Sequence, residues 1–484
     1  MTVAALLDWP AEARDDLPLA LWYADAIAAA TGGKASSPFQ VSGVEIDSRD
    51  VQPGDLFFAM IGESMDGHRF VDAAFAKGAA AAVVNRPIDG PHVQVADTFA
   101  ALRSLGRVAR ERTDARIIGV TGSVGKTGVK EAIFASLDRG CNGHAHRSVK
   151  SYNNHVGVPL SLARMPARSK FGVFEMGMNH AGEIAGLTTQ VRPHVAVITT
   201  IAPAHIENLG SEEAIADAKA EIFLGLEAGG TAEIPADSPH YARLRLAAEQ
   251  RGARVISFGL SSQADVRLLD AVAAPGGGSL VTADLGDRRM CYTVSAPGEH
   301  WVANSLAVMA AVQAAGGDLG AAGLALAEME GMKGRGARHA VAANGGEAMV
   351  IDESYNANPA SMRATLAQLG ATPAIRRIAV LGAMKELGDF GPAFHAALAE
   401  PLRAAHVDYA ILVGDEMRVL ADELGKSAAS MLGNAVPFDH CRNPDEALSA
   451  LADLGLRSGD VVLVKGSNSV GLGKVVAALS EVKE

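Results

Sequence analysis

A glycine-rich turn of sequence TGSVGKT, residues 121–127, constrains the possible folds of this chain more than any other feature. It directly follows an apolar run, Ile117–Val120, of the kind that forms a buried parallel strand. A helical pattern of apolar residues comes after the turn, at Val129, Ile133, Phe134 and Leu137. A strand, a glycine turn and a helix in this order predict a loop that binds phosphate at a helix N-terminus.

The residue types in this turn match the chemistry of a bound nucleotide. Gly122 and Gly125 allow backbone angles that direct successive N–H groups towards an anion. Lys126 supplies a positive charge for the outer phosphates, and the Thr127 hydroxyl can hold Mg²⁺. The longer form of the motif has glycine at position 120, where this chain has valine, and a chance match is the alternative in a chain with 52 glycines. We predict ATP or GTP binding by the residues of the turn: Thr121, Gly122, Ser123, Val124, Gly125, Lys126 and Thr127.

Apolar runs separated by helix-length segments recur along the chain and predict an α/β protein with mainly parallel sheets. A chain of 484 residues has room for about three domains. We place a small α/β module at residues 1–113, a P-loop parallel-sheet domain at 114–330, and a Rossmann-like doubly wound domain at 331–484. The segment 331–338, which contains glycine and arginine, is the predicted hinge between the last two.

Two further polar residues are expected beside the phosphate loop. Glu175 ends the apolar run that starts at Phe171, and His205 follows the run Val195–Thr200. Because ligands bind outside the carboxyl ends of parallel strands, both side chains belong at the same sheet edge. A carboxylate suits Mg²⁺, and histidine can hold a second metal ion. Taken singly, each has an ordinary structural explanation, and Lys219, in an amphipathic helical pattern, would ordinarily be a surface lysine.

Charge, cysteine content and the N-terminus exclude several classes of protein. A net charge of -12 leaves no basic excess for neutralising nucleic-acid phosphates. The cysteines Cys141, Cys291 and Cys441 are too far apart in sequence for a zinc motif or a disulfide framework, so we expect a cytoplasmic protein. No segment reaches the ~20 apolar residues of a membrane span, and the acidic N-terminus does not resemble a signal peptide.

Taken together, these motifs are similar to those of the Mur ligases, and the similarity extends over nearly the whole chain. The turn matches the family's phosphate loop, and Glu175 and His205 match its metal-binding glutamate and histidine. Lys219 stands where members of the family carry a lysine carbamylated by CO2. The motifs DSR, residues 47–49, and DGH, residues 66–68, resemble the family's UDP-sugar-binding module. The resemblance implies that the UDP-linked substrate contacts Ser48, Arg49, Asp66, His68, Asn153 and Asn154.

The third domain carries the most discriminating motif, DESYNANP at residues 352–359. It resembles the member of the family that attaches D-alanyl-D-alanine, and it differs from the motifs of members that add D-glutamate or a diamino acid. The resemblance implies nucleotide contacts by Asn304, Arg335 and Glu353. It places Tyr355, Asn356 and Asn358 near D-alanyl-D-alanine.

The resemblance also implies a reaction. The expected enzyme is an ATP-dependent ligase that joins UDP-N-acetylmuramoyl-tripeptide to D-alanyl-D-alanine through an acyl phosphate, in peptidoglycan precursor synthesis. Another amino-acid-adding member of the family, or a P-loop kinase, is the alternative. The implied cofactors are ATP, two Mg²⁺ ions and a CO2-derived carbamate on Lys219, and we expect a monomer. The implied catalytic residues are Lys126, His205, Lys219 and Arg335, and the implied metal ligands are Thr127, Glu175, His205 and Lys219.

Overall fold

The computed structural model describes residues 20–62, 65–274, 277–429 and 435–481. The described chain forms two compact units. The first contains the described residues up to Asp114 together with Val156–Arg168, and the second contains Ala115–His155 and everything described from Ser169 onwards. The N-terminal segment that was examined for a signal peptide lies outside the described residues. The domain boundaries near residues 113 and 330 remain predictions.

The first unit is built on a five-stranded sheet with buried central strands. Leu56, Phe57 and Phe58 are at most 1% exposed, because both faces of their strand are covered. A separate ribbon pairs Trp22–Tyr23 with Gln40–Val41. In spatial order the sheet contains Lys34–Ala35, His92–Gln94, Ala81–Val84, Asp55–Phe58 and Gly43–Glu45, and only its first pair is antiparallel. The α-helices are Ala24–Thr31, Val71–Ala76, Thr98–Glu111 and Gly157–Ala163.

Two contacts attach the helix Gly157–Ala163 to the first unit, although it follows the phosphate loop in sequence. A Cβ on Gly106 would lie 2.8 Å from Pro159 O, so glycine is required where the two helices cross. The Trp22 indole N–H donates a hydrogen bond of 2.8 Å to Ala163 O. The first unit is therefore discontinuous in sequence. The order of apolar segments along the chain did not predict this.

The second unit contains a nine-stranded sheet that includes the strand leading into the phosphate loop. In spatial order its strands are Arg289–Val294, Ser279–Asp284, Val266–Ala273, Arg254–Gly259, Thr231–Pro235, Val195–Ile198, Arg116–Thr121, Phe171–Glu175 and Ala145–Arg147. All neighbours from Val266–Ala273 to Ala145–Arg147 are parallel. The predicted parallel sheet is confirmed, and so is the placing of its carboxyl edge beside the loop.

Helices cover both faces of this sheet. The phosphate-loop helix, Lys126–Gly140, and the helix Glu299–Ala315 pack on one face around a core that includes Val120, Ile133 and Leu306. Burial of this apolar surface is the main stabilising term for the domain. The other α-helices of this part of the chain are Glu183–Val191, Ile206–Leu209, Glu212–Ala220, Tyr241–Glu249 and Leu319–Ala327.

The antiparallel strands at one end of the sheet were not predicted from sequence. Val266–Ala273, Ser279–Asp284 and Arg289–Val294 form a ribbon in which each strand pairs antiparallel with the next. The far half of the strand Val266–Ala273 is open to solvent, and Leu269 and Val272 in it are 42% and 50% exposed. Exposed apolar residues of this kind blur the alternation by which half-buried strands are recognised.

A six-stranded sheet completes the second unit. In spatial order it contains Ala337–Ala343, Gly346–Glu353, Asp460–Lys465, Arg376–Gly382, Tyr409–Val413 and Phe438–Cys441, and only its first pair is antiparallel. Its α-helices are Pro359–Ala371, Gly391–Ala396, Ala399–Ala404, Arg418–Ala429, Pro444–Leu454 and Gly473–Glu481. This arrangement confirms the predicted doubly wound domain. In the part of the chain that is described, no helix has the length and apolar character needed to cross a membrane.

Candidate active site

The phosphate loop is held against the end of the neighbouring strand. Gly122 and Gly125 have φ angles of 148° and 86°, and a Cβ on Gly122 would lie 2.0 Å from Thr199 Oγ1. Thr199 Oγ1 donates to Val124 O at 2.5 Å, and Ser123 Oγ donates to Ala202 O at 2.8 Å. The loop is therefore fixed by the fold before a ligand binds, with the helix N-terminus behind it.

Lys126 and Glu175 form the polar floor beside this loop. Lys126 Nζ donates to Gly122 O at 2.7 Å, and burial lowers its pKa more than the Glu175 carboxylate raises it. Glu175 accepts from Thr127 Oγ1 at 2.8 Å and from Asn153 Nδ2 at 2.7 Å. Both carboxylate oxygens are thus oriented by neighbours, and the hydroxyl and carboxylate are the hard oxygen donors that suit Mg²⁺.

His205 lies at the same edge in a strained conformation. It precedes the short helix Ile206–Leu209 and has φ 59°, which is uncommon for a residue other than glycine. Its Nδ1 lies 2.5 Å from Glu386 Oε2, at ion-pair distance. His205 lowers the pKa of Glu386, which is itself left-handed at φ 63°. The His205 imidazole lines the same cleft as Glu175 and Thr127, and a histidine nitrogen is a suitable ligand for a second metal ion.

Lys219 is buried, so its interpretation as a surface lysine was wrong. It lies in the helix Glu212–Ala220, is 1% exposed, and lines the same cleft as Lys126. Burial, reinforced by the neighbouring Lys126 charge, lowers its pKa well below the usual lysine range. No carboxylate of the described residues is paired with it. Which side of a helix becomes buried depends on the elements that pack on it, and spacing alone did not reveal this.

Arg335 reaches the cleft from the third domain. Its guanidinium stacks 4.3 Å from the centre of the Tyr355 ring, and its Nη2 donates to Ser151 Oγ at 3.3 Å. The turn that carries it is fixed from behind, because Asp352 Oδ2 accepts from Gly334 N at 2.7 Å. Arg335 therefore lies in a turn that is held by the C-terminal sheet, and its side chain contacts the central domain.

Lys465 and Glu353 form a buried pair on the same wall. Their charged atoms are 3.7 Å apart, and Lys465 Nζ also donates to Asn356 O at 2.8 Å. Burial lowers the pKa of Lys465 and raises that of Glu353, while each opposes the shift of the other. Burial together with the Lys465 charge lowers the pKa of His300 to about 4, so this imidazole is neutral at pH 7.

These side chains meet in one cleft of about 610 Å³. The predicted residues that line it are Ser123, Val124, Gly125, Lys126, Thr127, Asn153, Glu175, His205, Lys219, Asn304, Arg335, Glu353, Tyr355, Asn356 and Asn358. Thr121, Gly122 and Asn154 do not line it. Asn358 has a structural task as well, because its side chain and Ser361 cap the helix Pro359–Ala371.

The cleft also contains residues that the sequence analysis did not single out. Asp237 follows the strand Thr231–Pro235, and Phe258 lies near the end of the strand Arg254–Gly259. Trp301 lines the same cleft. Asp237 accepts from two backbone N–H groups of the adjoining loop, at 2.7 and 2.8 Å. The rule that located Glu175, a polar residue at a strand's carboxyl end, would also have found Asp237.

Four of the residues implied in binding the UDP-linked substrate lie in the first unit, whereas Asn153 and Asn154 belong to the second. Asp66 accepts from the backbone N of His68 at 2.9 Å, from Arg86 Nη2 at 2.8 Å and from His68 Nδ1 at 2.6 Å, and these bonds hold its pKa well below the usual range. His68 Nε2 accepts from Asn85 N at 3.1 Å, so the proton of the neutral ring is on Nδ1. Ser48 is half-buried, and the neighbouring Arg49 side chain is 86% exposed. Asp66 and His68 are thus fixed to each other, while Arg49 is accessible.

Comparison with known protein families gives three matches along the chain. Residues 40–111 match the Mur ligase family catalytic domain, 120–312 the Mur ligase middle domain, and 337–468 the Mur ligase glutamate ligase domain. A UDP-N-acetylmuramoyl-tripeptide–D-alanyl-D-alanine ligase of Synechocystis is 36% identical over 455 residues, which cover 92% of this chain and 93% of the relative. The Escherichia coli enzyme of the same name is 34% identical, over 90% and 93%.

Solved structures give the same result. A crystal structure of MurF from Acinetobacter baumannii has a TM-score of 0.81 at 30% identity, and the match covers 96% of this chain and 100% of that one. MurF ligase from Thermotoga maritima shares the fold, with a TM-score of 0.71 at 24% identity and coverage of 91% and 97%. The full-length matches, together with the phosphate loop and the cleft residues described above, show that this chain belongs to the Mur ligase family.

Proposed function

We propose that this protein is an ATP-dependent ligase that adds D-alanyl-D-alanine to UDP-N-acetylmuramoyl-tripeptide, in the synthesis of the peptidoglycan precursor. The observation that carries the proposal is the single cleft in which the phosphate loop, Glu175 and Arg335 converge. Three curated relatives with this activity in their names match 90–94% of this chain. The substrates follow from these relatives, and the chemistry follows from the cleft.

The reaction must first activate a carboxylate. A carboxylate oxygen of the tripeptide attacks the γ-phosphorus of ATP, and the bond between this phosphorus and the β-phosphate oxygen breaks. ADP departs, and the tripeptide carries the γ-phosphoryl group as an acyl phosphate. The D-alanyl-D-alanine amine then attacks the acyl carbon and loses a proton, and the carbon–oxygen bond to phosphate breaks. The products are an amide, ADP and phosphate. Such transfers require alignment and charge neutralisation more than covalent help from the protein.

The main obstacle to this reaction is the repulsion between ATP and the tripeptide carboxylate, and the cationic side chains of the cleft would reduce it. Two unit charges about 4 Å apart repel by about 4 kcal/mol when the effective dielectric constant is about 20. Lys126 and Arg335, which both line the cleft, would offset this at the phosphates. Thr127 and Glu175, with His205, would hold Mg²⁺, which when bound supplies further positive charge to the phosphate oxygens. Asn304 and Glu353 would contact the nucleotide, and Tyr355, Asn356 and Asn358 would contact D-alanyl-D-alanine.

We extend the proposal to a carbamate on Lys219. A neutral amine and CO2 combine to give the carbamate anion and a proton, so the reaction requires a lysine with a lowered pKa. The burial of Lys219 and its position next to Lys126 support this state. The anionic carbamate would then serve as an oxygen ligand of the metal site, where an ammonium group would repel a cation.

The domain roles complete the proposal. Residues 1–113 would bind the UDP-linked substrate through Ser48, Arg49, Asp66 and His68, with Asn153 and Asn154 facing its muramoyl part. Residues 114–330 would bind ATP, and 331–484 would contact nucleotide and D-alanyl-D-alanine. We place the reaction of a monomeric enzyme in the cytoplasm, where ATP is available and unpaired cysteines such as the exposed Cys291 stay reduced.

The test is an omission assay on the purified protein. Phosphate and ADP should appear only with ATP, Mg²⁺, UDP-N-acetylmuramoyl-tripeptide and D-alanyl-D-alanine together, and mass spectrometry should show the pentapeptide product. A phosphorylated product formed without D-alanyl-D-alanine would indicate a kinase instead. Turnover with D-glutamate or a diamino acid on a shorter UDP-linked acceptor, and none with D-alanyl-D-alanine, would indicate another member of the family.

A further inference from the structure

A lysine that the proposed mechanism does not use is buried one helical turn after the phosphate loop. Lys130 is 0% exposed, and its Nζ donates to three acceptors. These are Glu131 Oε1 at 2.6 Å, Ser148 O at 2.8 Å and Lys150 O at 3.2 Å. An ammonium group has three donors, so all of them are used within the protein. None is left to bind a ligand.

Two of the three acceptors are backbone carbonyls of one segment, Ser148–Asn154, which follows the strand Ala145–Arg147. This segment has no helix or strand of its own, and Lys150 within it is left-handed at φ 52°. Its conformation therefore depends on contacts from outside. The Glu131 carboxylate that also binds Lys130 lies 2.8 Å from Arg147 Nε, so the same anchor reaches the residue that directly precedes the segment.

The segment contacts both halves of the cleft. Ser148 Oγ accepts from Glu175 N at 3.1 Å, and Asn153 Nδ2 donates to the Glu175 carboxylate at 2.7 Å. Between them, Ser151 Oγ accepts from Arg335 Nη2 at 3.3 Å. The segment thus orients a carboxylate of the central domain and meets the arginine that arrives from the third domain.

We propose that Lys130 is a positioning residue that clamps Ser148–Asn154 in the conformation that aligns Glu175 and receives Arg335. The charged side chain acts through the segment and touches no substrate. Two charge-assisted hydrogen bonds to carbonyl groups fix a turn that would otherwise sample several conformations. The consequence for catalysis rests on the proposed function, whereas the ordering of the segment does not.

The experiment compares Lys130→Met with Ser136→Ala. Ser136 lies in the same helix, is fully buried, and bonds only within that helix, to Ala132 O at 2.7 Å. In Lys130→Met, hydrogen exchange at residues 148–154 should accelerate about tenfold or more, because charge-assisted hydrogen bonds are lost. Exchange at 132–140 should stay unchanged. The kcat should fall about 10- to 100-fold, with the KM for ATP within about twofold, because the phosphate loop is intact.

A double-mutant cycle separates positioning from general stability. The effect of Lys130→Met on kcat should be smaller in a Ser151→Ala background, because both changes act through the contact with Arg335. Unchanged exchange at 148–154 in a folded Lys130→Met protein would overturn the proposal, and so would equal loss of protection along the whole helix. If Lys130→Met is insoluble, Lys130→Gln, which keeps a neutral donor, is judged by the same two criteria. A wild-type protein inactive in the omission assay would reject the proposed function alone, since exchange is measured without substrates.

Discussion

Lys219 in the central wall of the cleft and Lys465 in its C-terminal wall are equally inaccessible, at 1% and 2% exposure, but their electrostatic surroundings are opposite. Lys465 has the Glu353 carboxylate at 3.7 Å and donates to Asn356 O. Lys219 has no paired carboxylate among the described residues and lies next to the like charge of Lys126. Burial lowers the pKa of both, but only Lys465 has an anion that opposes the shift.

The difference separates two uses of a buried amine. A paired lysine satisfies its neighbours and holds Tyr355 and Asn356 in place through the backbone, so it behaves as part of the structure. An unpaired lysine is held at a cost in stability, and such groups cluster at functional sites. The comparison therefore predicts that removing the two lysines changes activity and stability in different proportions.

Lys219→Ala should have the largest effect, a fall in the rate of phosphate release of about 10³-fold, because it removes the proposed metal-site ligand. If that ligand is a carbamate, formate or acetate should restore part of the activity by occupying the vacated space. Lys474→Ala, an exposed lysine in the helix Gly473–Glu481, is the matched control and should retain full activity. Full activity in Lys219→Ala would reject a catalytic role for the amine, with or without CO2.

Lys465→Met should destabilise the protein by about 3 kcal/mol, because it leaves the largely buried Glu353 carboxylate without its ion-pair partner. The free energy of unfolding from urea titration measures the change. Adding Glu353→Gln to the same chain should recover a large part of the loss, since the uncompensated carboxylate is then gone. A loss of the same size in the single and double variants would show that the pair does not act as a unit.

In CO2-free buffer, where Lys219 is an amine, Lys219→Met should do the reverse and stabilise the fold by about 1–3 kcal/mol at neutral pH, because an unpaired buried amine is replaced by an apolar chain. The wild-type amine has a lowered pKa, so the unfolded state binds more protons, and wild-type stability rises with pH towards the usual lysine pKa. The advantage of the methionine variant should therefore shrink as pH rises to that value. A gain that is constant between neutral and alkaline pH would contradict the unpaired state.

Glu233→Leu extends the comparison to a buried carboxylate away from the cleft and should stabilise the protein by about 1–2 kcal/mol. Glu233 is 0% exposed, neither of its oxygens meets a hydrogen-bond donor in the described residues, and burial raises its pKa well above the usual range. Its protonated form is favoured in the fold, so wild-type stability falls as pH rises above the ordinary glutamate pKa, and the gain from leucine should grow. Glu347→Leu, an exposed strand glutamate, should change stability by less than about 0.5 kcal/mol.

That the phosphate loop, Glu175 and His205 lie at one sheet edge could be predicted, because the prediction needs only the sequence near each of them. The phosphate loop has its own pattern, and Glu175 and His205 follow strands whose carboxyl ends meet at one edge. The cap formed by Asn358 was also readable, since asparagine followed by proline marks a helix start. That residues of the third domain line the same cleft was predicted only from the family resemblance.

The environments of the buried charges could not be predicted in the same way. Lys130 and Lys219 both occur in helices with ordinary polar neighbours, and their burial is decided by segments distant in sequence. The pairing of His205 with Glu386 joins residues 181 positions apart, and neither has an unusual sequence context. For the same reason the helix Gly157–Ala163 could not be assigned to the first unit from sequence.

The anchoring of Gly334 by Asp352 has a consequence for exchanging parts between members of the family. Gly336 N also donates to Asp352 O at 2.8 Å, so the turn bearing Arg335 folds as an extension of the C-terminal sheet. The Ser295 hydroxyl, in contrast, holds Met329 O at 2.5 Å on the central side. A chimera joined between residues 329 and 332 would transfer the arginine together with its own support, whereas a junction after 336 would graft it onto a foreign scaffold.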